Sequence, residues 1–142
     1  MNLCQEKITE SEFKAKIDSM FIMLYISIMI DNLKRVSNFL SDSLMNRYEK
    51  FLSELNKNNE RQMYDLLNVE STKIENTEIV DNKFVVKVKL LTKYMDYVED
   101  KMTKKILRGN NKEQIKKTIL LTLEKDCDEN NTDWIFTDVE TV

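Results

Sequence analysis

Apolar side chains recur at helical spacing through the first third of the chain and alternate with polar ones through much of the rest. Phe13, Ile17, Phe21, Leu24 and Ile28 fall on one face of a helix. Thr9 followed by Glu12 makes a capping box at its start, and Ile8 and Phe13 flank it as a hydrophobic staple. From Met20 to Ile30 the side chains are apolar nearly all round, with Tyr25 and Ser27 the exceptions, so this helix is expected to be enclosed on more than one side. The run is about half the ~20 residues that a membrane-spanning helix needs. Asp31 is expected to end it and to cap a short second helix with Leu33, Val36, Phe39 and Leu40 inward. Ser41 caps a third helix, whose stripe is Leu44, Tyr48, Phe51, Leu52 and Leu55, with Arg47, Glu49, Lys50 and Glu54 outward. Asn56 to Asn59 stop it, and antiparallel packing on the first helix is the economical arrangement.

After Glu60 to Asp65, a segment without clear period, the pattern becomes alternating. Leu67 to Val80 predicts a weakly alternating strand, and Asp81-Asn82 a turn. The next strand, Phe84 to Tyr97, places Phe84, Val86, Val88 and Leu90 on one face and Lys87, Lys89 and Lys93 on the other, with Val85 and Leu91 as exceptions. Val98 to Met102 turns the chain back. A third strand starts near Lys104, is broken by a bulge around Gly109, and resumes with Ile115, Ile119, Leu121 and Leu123 inward and Lys116, Thr118, Thr122 and Glu124 outward. The acidic stretch Asp126 to Asp133 leads to a last strand, Trp134 to Val142. Helices first and strands after predict an α+β fold: three N-terminal helices on a curved four-stranded antiparallel sheet. Strands this long curl, and curling around a helix makes a cone with an apolar interior. Residues 1–8 read as a tail and 9–142 as one domain.

Composition narrows the chemistry. Histidine is absent from all 142 residues. That removes histidine-based triads, histidine zinc ligands and a histidine general base together. No cofactor or metal is expected. The two cysteines, Cys4 and Cys127, form no CxxC. They read as unpaired thiols, which fits a reducing, cytoplasmic setting. The N-terminus lacks the basic and apolar regions of a signal peptide. Charge is unevenly placed. Between Lys83 and Lys117 eleven basic residues face four acidic ones, whereas the remainder holds eleven against twenty-one.

The order of elements, with certain residues, resembles the Tim44-like domain, a branch of the NTF2-like (cystatin-like cone) superfamily. The residues are Asp31 with Leu33 at the end of the apolar helix, Ser41-Asp42-Ser43-Leu44 leading to Tyr48 and Phe51, Tyr94-Met95-Asp96-Tyr97, Arg108-Gly109-Asn110, and Trp134. The likeness covers roughly Glu10 to Val139. It implies a non-enzymatic module, peripheral at a membrane, that contacts anionic lipid or a membrane-associated protein. The long N-terminal segment of the mitochondrial relatives and the transmembrane segment of many bacterial ones are expected to have no counterpart in these 142 residues. Only the properties of the C-terminal domain are therefore expected to carry over.

Two sets of residues are candidates for contact. The first is basic: Lys87, Lys89, Lys93, Lys116 and Lys117 on the outer sheet face, with Lys104, Lys105, Arg108 and Lys112 at its rim. It could meet an anionic phospholipid surface at the inner face of a membrane, or it could be a solvated face that blocks strand pairing. Nucleic acid is disfavoured despite Tyr94 and Tyr97, because no recognition motif accompanies them and the net charge is -3. The second set is apolar: Phe21, Leu24, Tyr25, Ile28, Phe51, Val86, Val88, Ile119, Leu121 and Trp134. It could line a pocket for an apolar small molecule, or form an ordinary core. Catalysis by Tyr25 with Asp31 or Asp96 would need a carboxylate inside that pocket, where the strands supply Val, Ile and Leu. No catalytic residue is assigned. A homodimer through the sheet face is a further option, although its charge argues against a strongly hydrophobic interface.

Overall fold

The computed structural model describes residues 9–127 and 133–142, together with the backbone of two short strands near the N-terminus. Those strands, β1 (Asn2–Leu3) and β2 (Glu6–Lys7), pair antiparallel within the segment expected to be a tail. Helix α1 (Glu10–Met29) opens as expected, with Thr9 Oγ1 accepting from the backbone N–H of Glu12 at 3.0 Å. Ile8, the other half of the staple, lies outside the described residues. Phe13, Ile17, Phe21, Leu24, Tyr25 and Ile28 are buried. The helix ends with Asp31 in the left-handed region (φ 55°), where the N–H groups of Asp31 and Asn32 close back on the carbonyls of Ile28 and Ser27.

Two expectations for α1 need correction. Met23, Ile26 and Ile30 are exposed, so the helix is not enclosed all round; one apolar stripe faces out. Asp31 does not cap the next helix either. The 3₁₀ segment Leu33–Phe39 follows Asn32 with no side-chain cap, and the Asp31 carboxylate instead accepts from Asn56 Nδ2 at 3.0 Å. Val36, Phe39 and Leu40 are buried as expected.

Helix α2 (Asp42–Lys57) is capped by Ser41, whose Oγ accepts from the N–H of Leu44 at 3.2 Å. Leu44, Leu52 and Leu55 are buried and Tyr48 is half-buried. The helices pack chiefly on the sheet rather than along one another: α1 lies on the first long strand and the 3₁₀ segment, while α2 touches the first and last strands of the sheet.

The main sheet has five antiparallel strands, not four: β3 (Glu60–Val80), β4 (Lys83–Asp100), β5 (Ile106–Gly109), β6 (Ile115–Asp126) and β7 (Ile135–Thr141). The order is β3-β4-β6-β7, and β5 pairs with the end of β4. The expected single third strand is thus two strands, joined by a loop. Strand β3 starts earlier than its alternation suggested, because Glu60–Asp65 pairs with Asp100–Met95. Its alternation is weak for a physical reason. Register shifts follow Asp65, Val69 and Ile74, and Leu66 is left-handed (φ 55°), so side chains change face along the strand. Asp81 and Asn82, both at positive φ, make the tight turn into β4.

A single core fills the space between helices and sheet. Trp134 is fully buried, with Phe13 edge-on at 5.3 Å and Phe84 at 6.0 Å between ring centres. Each such large apolar side chain contributes about 1.5–3 kcal/mol relative to exposure. Cys127 is disulfide-bonded, which corrects the reading of unpaired thiols and removes its support for a reducing compartment. The thiol expectation for Cys4 lies outside the described residues.

Candidate partner-contact face

Strand alternation decides which lysines share a surface. In β4 the buried Val86, Val88, Leu90, Thr92 and Tyr94 point to the core, so Lys87, Lys89, Leu91 and Lys93 point away from it. In β6 the buried Ile119, Leu121 and Leu123 point inward, leaving Lys116, Thr118, Leu120 and Thr122 outward. The register then stacks these residues in rungs across the sheet. Lys93 lies beside Lys116, Lys89 beside Leu120, and Lys87 beside Thr122. Strand β3 adds Lys73, opposite Lys89, which was not among the sequence candidates. Strand β7 adds Glu140 opposite Leu120 and Asp138 opposite Thr122. A hollow of about 340 Å³ on this face is lined by Glu75, Lys87, Leu120, Thr122, Asp138 and Glu140.

Lys117 is the exception among the expected face residues. It pairs with Thr92, which is 1% exposed, and so stands on the opposite side of β6 from Lys116. The rim also differs from expectation. Arg108 grips Glu60 with both terminal nitrogens, Nη2 donating to Oε1 at 2.8 Å and Nη1 to Oε2 at 3.1 Å. Those hydrogen bonds hold the Glu60 carboxyl below its ordinary range and raise Arg108. Lys104 pairs with Glu99 at 3.9 Å. Two of the expected rim cations are therefore already matched by carboxylates. Lys105 and Lys112 are exposed and form no ion pair among the described residues. Lys73, Lys87, Lys89, Lys93 and Lys116 are likewise outside the ion pairs among the described residues.

Gly109 explains the rim's shape. It sits at φ 85° opposite Tyr97, and a Cβ there would lie 2.3 Å from the Asp96 carbonyl oxygen. The close approach lets the N–H of Asn110 donate to that carbonyl at 3.1 Å.

Of the apolar set, nine residues belong to the packed core: Phe21, Leu24, Tyr25, Ile28, Val86, Val88, Ile119, Leu121 and Trp134. Phe51 does not; it is 38% exposed on α2, a correction to its place among them. Aromatic rings fill the interior beside α1. Tyr25 is 4.4 Å from Phe21 and 4.2 Å from Tyr64, and Tyr64 is 5.5 Å from Tyr94. Burial pushes the Tyr25 phenol up to about 12 and raises Tyr48, Tyr64 and Tyr94 as well, so all four stay protonated at neutral pH. Asp96 accepts from Gln62 Nε2 at 2.7 Å, whereas Asp31 is exposed at the far end of α1. The two carboxylates weighed for catalysis thus hold separate structural hydrogen bonds.

Two grooves were not foreseen. One, about 720 Å³, runs between the 3₁₀ segment and α2 over Leu33, Met45 and Leu52. The other, about 500 Å³, lies between the start of α1 and β3. Among the described residues no group of three acidic, cysteine or histidine side chains is placed to hold a metal ion. Nor is any helix among them long and apolar enough to cross a membrane.

A family model described as the Tim44-like domain matches residues 1–141. The fold is similar to the crystal structure of the intermembrane space region of the chloroplast protein ARC6, with a TM-score of 0.61. That match covers 96% of this chain and 98% of the other at 6% identity, so it bears on the fold alone. No curated protein matches the sequence.

Proposed function

The chain belongs to the Tim44-like domain family, and from that premise we propose that it is a non-catalytic binding module acting peripherally at a membrane or on a membrane-associated protein. The outer sheet face makes the contact, through Lys87, Lys89, Lys93 and Lys116 joined by Lys73, and anionic phospholipid headgroups are the surface it fits. The observation that carries this reading is the register, which brings these lysines onto one face without ion-pair partners among the described residues. Lys104 and Arg108 contribute less than their number suggests, because Glu99 and Glu60 offset them. The sheet is read as the family's cone, and α2 reaching both β3 and β7 supports that curvature. Each lysine near an anionic leaflet contributes roughly 1 kcal/mol. Flotation with vesicles containing cardiolipin or phosphatidylglycerol is expected to carry the protein at low salt and to lose it at ~0.5 M salt, where exposed charges are screened. Equal recovery on neutral vesicles, or none on anionic ones, contradicts the reading.

A further inference from the structure

We propose that the open edge of β3, where it faces the start of α1, takes a lysine- or arginine-rich extended segment of a partner protein as an added strand. This is a different surface from the lysine face, and it does not depend on that face meeting a membrane.

Strand β3 closes the sheet on one side. It pairs with β4 alone, and β1 and β2 pair with each other in a separate sheet. Alternate N–H and C=O groups along its other edge therefore meet no strand among the described residues. Near the start of β3, helix α1 covers that edge, because the N–H of Tyr64 donates to Met29 Sδ at 3.1 Å. Toward the first turns of α1 the two elements part. A cleft of about 500 Å³ opens there between Glu10, Lys14, Ala15 and Asp18 on the helix and Val69 to Thr72 on the strand. Thr72 Oγ1 donates to the Asp18 carboxylate across it. The stretch Ser71 to Ile74 pairs with Leu91 to Val88 without a break in register. It offers a regular edge, about 13 Å long, beside the cleft.

An added strand needs backbone pairing for affinity and suitable side chains for specificity. The register shift between Val69 and Ser71 leaves Glu70 as the extra residue, and Glu70 lines the cleft. Bulges commonly re-aim a side chain in this way. Glu10 and Asp18 line the cleft from α1, and Lys14 is already matched with Glu10 at 3.7 Å. Further along the strand, Glu75 and Glu78 outnumber Lys73. Cleft and edge are thus acidic. That charge selects a basic segment, and it opposes a second copy, whose β3 edge carries the same carboxylates.

The test is fluorescence anisotropy at ~0.15 M salt with a labelled octapeptide of alternating lysine and threonine. Two controls accompany it: the same peptide N-methylated at every amide, and one with glutamate in place of lysine. The first peptide is expected to bind with a Kd below ~500 µM. Each control should bind at least ~10-fold more weakly, the methylated one because it keeps the charge but has no N–H to donate. Glu70→Lys should weaken binding at least ~5-fold, as should Ala15→Arg, which places a long cation in the cleft. Lys116→Ala on the lysine face should change it less than ~2-fold. Glu70 and Ala15 are exposed, and circular dichroism reports whether each variant is folded. Amide shifts on titration should centre on Ser71 to Ile74. No binding up to ~1 mM, or equal binding of the methylated peptide, overturns the proposal. So does an unaltered affinity in Glu70→Lys. Self-association through Ser71 to Ile74 without a response to peptide assigns the edge to a second copy and also overturns it. None of these results bears on vesicle flotation, so this proposal and the preceding reading fail separately.

Discussion

The two faces of β4 carry opposite kinds of information. Its inward residues, Val86, Val88, Leu90 and Tyr94, are buried against helices and rings. Its outward residues, Lys87, Lys89, Leu91 and Lys93, face away from that core, three lysines to one leucine. The same period of two produces both. What differs is the constraint. An inward position is held by volume and by the cost of a cavity, whereas an outward one is free to be set by what the protein meets.

Substitutions at inward positions should therefore cost stability, and outward ones should change association while leaving stability nearly intact. The largest effect is expected at Trp134, fully buried between Phe13 and Phe84. Trp134→Ala should cost about 3–5 kcal/mol in denaturant titrations. Trp134→Phe should cost much less, because the indole Nε1 has no hydrogen-bond partner among the described residues to lose. Gly109→Ala comes next, at about 2 kcal/mol or more, since it combines positive φ with a backbone clash at Asp96. A loss within ~0.5 kcal/mol there would mean that β5 shifts freely and does not fix the rim.

The smallest effect is electrostatic. Arg108 lowers the folded-state carboxyl of Glu60. A lowered carboxylate contributes stability that is present above the ordinary range near ~4.3 and is lost as pH falls through the lowered value. Arg108→Ala should accordingly lower stability slightly at neutral pH, leave it unchanged once pH falls below the lowered value, and so flatten the acid side of the stability curve. An unchanged acid limb would show that the pair contributes nothing measurable.

Local chemistry was legible in the sequence; distant chemistry was not. The caps at Thr9 and Ser41 depend on residues three apart, and both form. The register of β4 on β6 runs unbroken from Lys83 through Tyr94, so the alternation gives the right inward face despite its exceptions at Val85 and Leu91. Strand β3 was misjudged at its start because its bulges scramble the period that makes a strand visible. Phe51 and the stripe of Met23, Ile26 and Ile30 were read as interior because periodicity gives the direction of a face but not its width. The rim was overestimated because Glu60 and Arg108 meet across 48 positions of chain. The carboxylates beside the lysines were missed for the same reason: Glu140 and Asp138 reach that face through the pairing of β7 with β6.

The most direct measurement compares two charge reversals in one flotation experiment with cardiolipin vesicles at low salt. One variant carries Lys89→Glu and Lys116→Glu on the face, and the other carries Lys105→Glu and Lys112→Glu at the rim. If the face is the contact surface, the first should lose at least ~30-fold in binding, from roughly 1 kcal/mol per lysine removed and further repulsion from each glutamate, while the second loses several-fold at most. Equal losses from both variants would show that net charge alone drives binding, and a wild type that never floats would remove the membrane from the proposal altogether.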